Sequence, residues 1–436
     1  MRIKLAIIYN KIISLCSRWY SIMILLVLYK IFLDLLYLKH LTTDFGYTKL
    51  LDPISVISGY LFVFIIGGAF IYLYKEETAS SIFIIILSLI YFIPLAVYCS
   101  YGSGSNGLFL GACIFFIIFL ILHMKMPYYA LDLSFLQNKK RSNIFTLLIV
   151  CCVTIAIYII FRYGNFSIAI NIFDVYGIRE NAEEYDMGTL FSYIFSILKI
   201  IFPVLIVYCI ATKHYICCCC VGLTELLLYS VDAVKSVLFM TIFSIIGYYL
   251  YKKNMQVLIL PMSILLEIGA LLETIWNNSM YLIDLFIRRV MFVPVVLADN
   301  YFKFFSENPL DIARSGILGK MGFSTPYQQN IALVIGNNYD NQFVSANTGL
   351  LGDAYATLGF LGFILFPFIL IICIRVLDLA SDKLNIKIII GSILYFAVAF
   401  TNAVWSTILL SHGFLVICFL YLLFPRNNEG LIERKD

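Results

Sequence analysis

Arg288 and Arg289 stand side by side between two largely apolar runs, Leu282 to Ile287 and Val290 to Leu297. A guanidinium is always charged and offers a planar fork of donors, so a pair of them at a membrane boundary suits a pyrophosphate. The same side chains can instead snorkel to ordinary lipid phosphates. Arg314 and Lys320 add positive charge further along. In an earlier polar segment Arg179 precedes Glu180 and follows an amphipathic stretch of Ile168, Ile170, Ile172, Phe173 and Val175, which is suited to lie at the membrane surface near lipid headgroups. After the arginine pair come Tyr301, Phe302, Phe304 and Phe305, then Tyr327 and Tyr339 among Asn, Gln and Ser. Aromatic faces beside amides and hydroxyls fit sugar rings, which present apolar C–H faces and equatorial hydroxyls; they equally fit an interfacial aromatic belt.

The elements that must position these residues are membrane helices. Of 436 residues, 62% are hydrophobic and 13% charged, with a mean hydropathy of +0.95, well beyond the roughly half-apolar composition of soluble domains. Apolar runs of roughly twenty residues, the length that crosses a bilayer, fall at 19–38, 54–74, 81–99, 107–124, 144–161, 190–211, 214–231, 234–251, 257–276, 349–374, 387–404 and 406–424. The expected fold is an all-α polytopic membrane protein, about twelve transmembrane helices in a single integral membrane domain (1–436), because an open sheet cannot satisfy its edges in lipid. The basic opening (Arg2, Lys4, Lys11, Arg18) lies too far ahead of an apolar run for a cleavable signal, so the first span is expected to stay as an anchor. Lys and Arg concentrate at the two ends and in alternate loops, Lys139, Lys140 and Arg141 among them, which puts both termini in the cytoplasm by the positive-inside rule. Two larger segments then face the exterior, 162–189 and 277–348. The second opens with an interfacial or re-entrant segment, 282–298, short for a span and interrupted by Pro294.

Several patterns fail on physical grounds. The glycines of GSGSNG (102–107) match a dinucleotide-binding motif, but they join two spans with no preceding strand, so a tight exterior turn is expected. His40, His123, His214 and His412 are scattered and no DxD pair is present, so no metal and no cofactor is expected. Cys217 to Cys220 point about 100° apart in succession and cannot converge on one ion; they are read as small packing residues. No cysteine falls in either exterior segment, so no disulfide framework holds them. The net charge of +4 follows the inside bias, and the basic clusters lack the aromatic interleaving of a nucleic-acid surface. Lys30 and Asp34 are spaced to pair along a helix, whereas Lys199, Glu225, Glu267 and Glu273 have no evident partner. Such groups mark either proton relays or structural pairs. Gly349, Gly352, Gly359 and Gly362 share a broad helix face that permits close packing, with Asp353 at its outer end.

DVYGIRE (174–180), VDAVKSVLF (231–239), RRVMFVPVVLADNYFKFFSENP and NTGLLGDAYATLGFLG resemble, in order and spacing, the Wzy-type polymerases of bacterial O-antigen and capsular polysaccharides. The resemblance implies a GT-C-like, metal-independent glycosyltransferase of the bacterial cytoplasmic (inner) membrane. Such an enzyme joins oligosaccharide repeat units carried on undecaprenyl pyrophosphate at the outer face, passing the growing chain to the non-reducing end of an incoming unit. Pyrophosphate is already a good leaving group, so fixed cations can replace the proton donor that glycoside hydrolysis needs. The family's dependence on exterior arginines maps onto Arg179, Arg288 and Arg289, with Arg314 and Lys235 behind them. On that mapping Arg288 and Arg289 hold the donor pyrophosphate, and Arg179 orients the acceptor lipid or closes over it. Asp353 is the first candidate for the acceptor base, then Glu180 and Asp299. Tyr301, Phe305, Tyr327 and Tyr339 are the candidate sugar-stacking residues. The paired Arg-x10-Gly pattern of some members is missing, which counts against symmetric roles for the two loops. The implied partners are membrane lipid and the chain-length regulator, flippase and ligase of the same pathway. Two other functions compete: a flippase for the same lipid-linked unit, expected to have short exterior loops and charges inside its bundle, and an O-antigen ligase, which transfers to lipid A core.

Overall fold

The computed structural model describes residues 2–126, 138–164, 185, 187–232, 234–315, 319, 321–340 and 345–424, and among them every regular element is helical. In chain order these are α1 (Arg2–Cys16), α2 (Trp19–Asp44), α3 (Pro53–Leu73), α4 (Ala79–Tyr101), α5 (Asn106–Lys125), α6 (Asn138–Tyr163), α7 (Gly188–Ala211), α8 (Tyr215–Asp232), α9 (Lys235–Leu250) and α10 (Ile259–Asn277). They continue with α11 (Val293–Glu307), α12 (Ile331–Asp340), α13 (Leu350–Leu358), α14 (Phe360–Ser381), α15 (Ile386–Asn402), α16 (Trp405–Leu409) and α17 (Phe414–Leu423). Among the described residues ten helices are long and apolar enough to cross a membrane, so the chain is an all-α polytopic membrane protein. Two of the twelve expected spans, near 234–251 and 387–404, are shorter apolar helices, Val237–Leu250 and Ile386–Asn402.

The chain divides into two compact units: 1–127, 253–374 and 397–406 form unit 1, and 128–252, 375–396 and 407–436 form unit 2. Among the described residues unit 1 holds three π-helical stretches, Tyr37–Leu41 in α2, Ser88–Phe92 in α4 and Ile283–Phe292 ahead of α11. A π turn disturbs the regular hydrogen-bond ladder, and such turns recur at functional sites. Two of them meet directly, the Tyr37 and Phe292 rings lying 5.4 Å apart, and the third is tied to the regular part of α2, where the Tyr29 hydroxyl donates to the Leu89 carbonyl at 2.9 Å. Asp52 caps α3; the hydroxyl of Ser55 and the amides of Ile54 and Ser55 donate to its carboxyl and hold it below the usual carboxylate range.

The segment 282–298, read from sequence as interfacial or re-entrant, is helical, with the π-wound stretch Ile283–Phe292 running on into α11. Pro294 stands where the π-wound stretch passes into α11, directly after Val293, whose amide donates back to the Arg288 carbonyl, and Ile283, Ile287, Phe292, Val295 and Ala298 are fully buried. The expected span 349–374 breaks at Gly359, whose φ of +60° ends α13 before α14 begins. The four glycines therefore do not line one helix. Gly349 has its own reason: a Cβ there would run into the Phe400 carbonyl oxygen and lie 2.6 Å from that of Ala403.

In unit 2 the Phe145, Tyr208 and Phe424 rings cluster with centroids 4.1 to 5.0 Å apart. Cys217, Cys219 and Cys220 are exposed on α8 rather than packed against other described residues.

Gly349→Ala is expected to lower the apparent unfolding midpoint of the detergent-solubilised protein, an overpacking cost of about 1–3 kcal/mol. Gly68→Ala, where nothing lies within 4 Å of the added Cβ, leaves the midpoint unchanged or higher.

Candidate functional site

The arginine pair of unit 1 shares one carboxylate. Arg288 sits on Asp284 with Nε 2.6 Å and Nη2 2.5 Å from Oδ1, and Nε of Arg289 lies 3.4 Å from Oδ2. The π-helical winding brings residues four and five positions on to the same side of Asp284. The Arg288 guanidinium also lies 4.9 Å from the centre of the Phe45 ring. Two guanidiniums against one carboxylate leave a residual positive charge. Arg289 carries it to the surface: its side chain is 61% exposed, against 25% for Arg288.

Arg314 is placed quite differently. The turn Ile312–Ser315 lays its side chain, 5% exposed, against the fully buried head of α13. Nε donates to Asp353 Oδ1 at 3.1 Å, Nη1 to the Tyr301 hydroxyl at 3.0 Å and Nη2 to the Thr348 carbonyl at 3.3 Å, and the guanidinium lies 4.6 Å from the Tyr301 ring centre. Asp353 Oδ2 accepts from the Trp405 amide at 3.3 Å, and Tyr301 donates to the Ala346 carbonyl at 2.9 Å. Both oxygens of Asp353 are thereby engaged, which leaves it sealed rather than open to an acceptor hydroxyl.

Asp299 is also fully buried and engaged. Lys303 pairs with it at 2.7 Å, and it accepts from the Ser105 amide at 2.9 Å and the Tyr98 hydroxyl at 3.2 Å. This lashes the glycine-rich turn after α4 to α11, with Lys303 also donating to the Ser103 carbonyl at 2.9 Å. Of the candidate stacking residues, Tyr301 and Phe305 are buried in the aromatic cluster of α11 and offer no open face. Tyr327 is half-buried, its hydroxyl donating to the Pro309 carbonyl at 2.6 Å. Arg179, Glu180 and Lys320 lie outside the described residues. Lys235 and Tyr339 are described as helical positions alone, in α9 and α12.

The charges inside spans that lacked partners in sequence mostly find them. Lys199 pairs with Asp232, Glu225 accepts from Thr241, and Glu273 accepts from Ser279 and the amides of Tyr281 and Leu282. Lys30 and Asp34 do pair, at 2.9 Å, with the Tyr60 hydroxyl donating to Asp34 at 2.8 Å. Glu267 is fully buried and neither of its oxygens has a hydrogen-bond partner among the described residues.

The Lys199–Asp232 pair borders a feature the sequence reading missed, a cavity of about 720 Å³ in unit 2. Ser192, Ser196 and Lys199 line it from successive turns of α7, and Asp232 closes it from the end of α8. The signal was present: a polar run at i, i+4 and i+7 in an otherwise apolar span marks one helix face. Nearby in the chain, His412 Nδ1 and the Tyr395 hydroxyl are 3.0 Å apart.

No protein-family model, no curated protein and no solved structure matches the chain.

Arg314→Gln is expected to cost about 3–5 kcal/mol of stability, because it strands the buried Asp353 carboxylate. The double variant Arg314→Met/Asp353→Leu recovers most of that loss in denaturant or thermal unfolding of the solubilised protein.

Proposed function

We propose that this chain is a polymerase that joins undecaprenyl-pyrophosphate-linked oligosaccharide repeat units into O-antigen or capsular polysaccharide. It acts at the outer face of a bacterial inner membrane, with both termini in the cytoplasm. The observation that supports the reading is the arginine pair on Asp284. It has spare charge, an exposed guanidinium and an immobilised neighbour, which is what a pyrophosphate clamp requires. A clamp of this kind stabilises charge as the glycosidic C–O bond to the carrier breaks, and it needs no proton donor because the departing pyrophosphate is already a weak base.

The reading relies on cations rather than on the carboxylates of unit 1. Asp353 fastens the polar segment and Asp299 the turn after α4; the leaving pyrophosphate is assigned to Arg288 and Arg289, with Arg179 as a third candidate, and the acceptor hydroxyl's proton to Glu180, the remaining candidate base, as the new glycosidic bond forms and the bond to the carrier breaks. The reaction proposed is metal-independent, and the chain-length regulator, flippase and ligase of the pathway are its proposed partners.

A flippase for the same lipid-linked unit is the second reading. What favours it is charge inside the bundle: the sealed Lys30–Asp34 pair and the unbonded Glu267. The two readings separate on a gel of surface glycans after deleting and restoring the gene. Core bearing single repeat units in the deletion supports the polymerase; complete loss of repeat units on the core points to a flippase or ligase. Restoring with Arg289→Lys, which keeps charge but loses the fork, is expected to lower polymerisation roughly tenfold, the equivalent of ~1.4 kcal/mol. Normal chain lengths in that variant remove the clamp from the account.

A further inference from the structure

We propose that the cavity of unit 2 binds a neutral, hydroxyl-rich sugar ring, with Lys199 and Asp232 acting together as its polar grip. At about 720 Å³ the cavity has the size of a small-ligand site. Its described lining carries hydroxyls from Ser192, Tyr193 and Ser196, and an apolar side from Phe195.

Charge decides the ligand class. Lys199 and Asp232 cancel each other, so the described lining has no net charge. A phosphate would have to take the ammonium away from Asp232 and leave a carboxylate facing an anion, which is unfavourable on both counts. A sugar meets neither penalty. One of its hydroxyls can accept from Lys199 while the adjacent one donates to Asp232, and the ion pair stays intact underneath. Each hydroxyl both gives and accepts, so the serine hydroxyls extend the same chain of hydrogen bonds.

The grip is also held in place. The Lys199 ammonium lies 4.2 Å from the centre of the Phe195 ring, and Asp232 accepts from the Val234 amide at 3.4 Å. The side chains are 13% and 16% exposed, enough to be reached and too little to wander. Fixing both partners beforehand lowers the entropy cost of binding. On the polymerase reading, this is a seat for one sugar of the repeat unit. That assignment rests on the reading above; sugar binding itself does not.

The test is saturation-transfer NMR on the purified full chain in detergent micelles. The probes are glucose, galactose, N-acetylglucosamine and rhamnose in turn, with inorganic pyrophosphate as competitor. The expected result is transfer to at least one sugar, undiminished by pyrophosphate, and at least about fivefold weaker in Asp232→Asn, which forfeits a charge-assisted bond. Ser192→Ala, which leaves the ion pair untouched, is expected to weaken binding by a smaller factor and guards against misfolding of the first variant. Transfer to none of the four sugars, displacement by pyrophosphate, or unchanged binding in both variants overturns the proposal. If a sugar binds here while loss of the gene leaves the glycan ladder intact, the site stands and the polymerase reading falls. If the ladder collapses and no sugar binds, the reverse holds.

Discussion

The bond between Arg314 and Asp353 fastens the largest polar segment of the chain to its helices. It joins two nearly sealed charges, and neighbours brace both: the guanidinium also donates to the Tyr301 hydroxyl and the Thr348 carbonyl, and the carboxylate accepts from the Trp405 amide. In an apolar surrounding an unanswered charge costs several kcal/mol, so the pair works as a latch whose halves are each strongly unfavourable alone. The Asp299–Lys303 pair repeats the device at the turn after α4, fixing it to α11. The helices supply apolar surface; these pairs decide where the polar connections between them sit.

That constraint sorts the cations of the described structure by what they have left to offer. Arg314 is spent on Asp353 and Lys30 on Asp34. Arg288 and Arg289 divide one carboxylate between them, so part of their charge is free. Lys199 is balanced by Asp232 but borders a cavity, which suits it to neutral hydroxyls and not to phosphate. The two proposed sites thus differ in charge balance: the arginine pair of unit 1 keeps a residual positive charge, and the Lys199–Asp232 pair of unit 2 keeps none.

The helical fold was legible because an apolar run of bilayer length has one structural solution, and the run from Trp19 or Asn106 needs nothing more. Breaks within such runs were harder to read. Gly359 looks like Gly352 and Gly362 in sequence, yet its positive φ ends the helix. Pro294 reads as an interruption in sequence, yet the helical stretch from Ile283 passes through it where the winding changes from π to α. Among the site residues, Arg288 and Arg289 stood out by adjacency. The pairing of Lys199 with Asp232 did not, because partners 33 positions apart meet only when α7 and α8 pack. The burial of Tyr301 and Asp353 was invisible for the same reason: a polar segment reads as exposed until the latch that folds it down is known.

The central claim is that this chain lengthens a glycan on its lipid carrier. The most direct measurement reconstitutes the purified protein in liposomes with a synthetic undecaprenyl-pyrophosphate-linked repeat unit and follows products by mass. The account predicts oligomers of increasing repeat number on the lipid, with one free undecaprenyl pyrophosphate released per unit joined and no other protein required. Movement of intact units across the bilayer without lengthening, or transfer that occurs only when lipid A core is supplied, contradicts it.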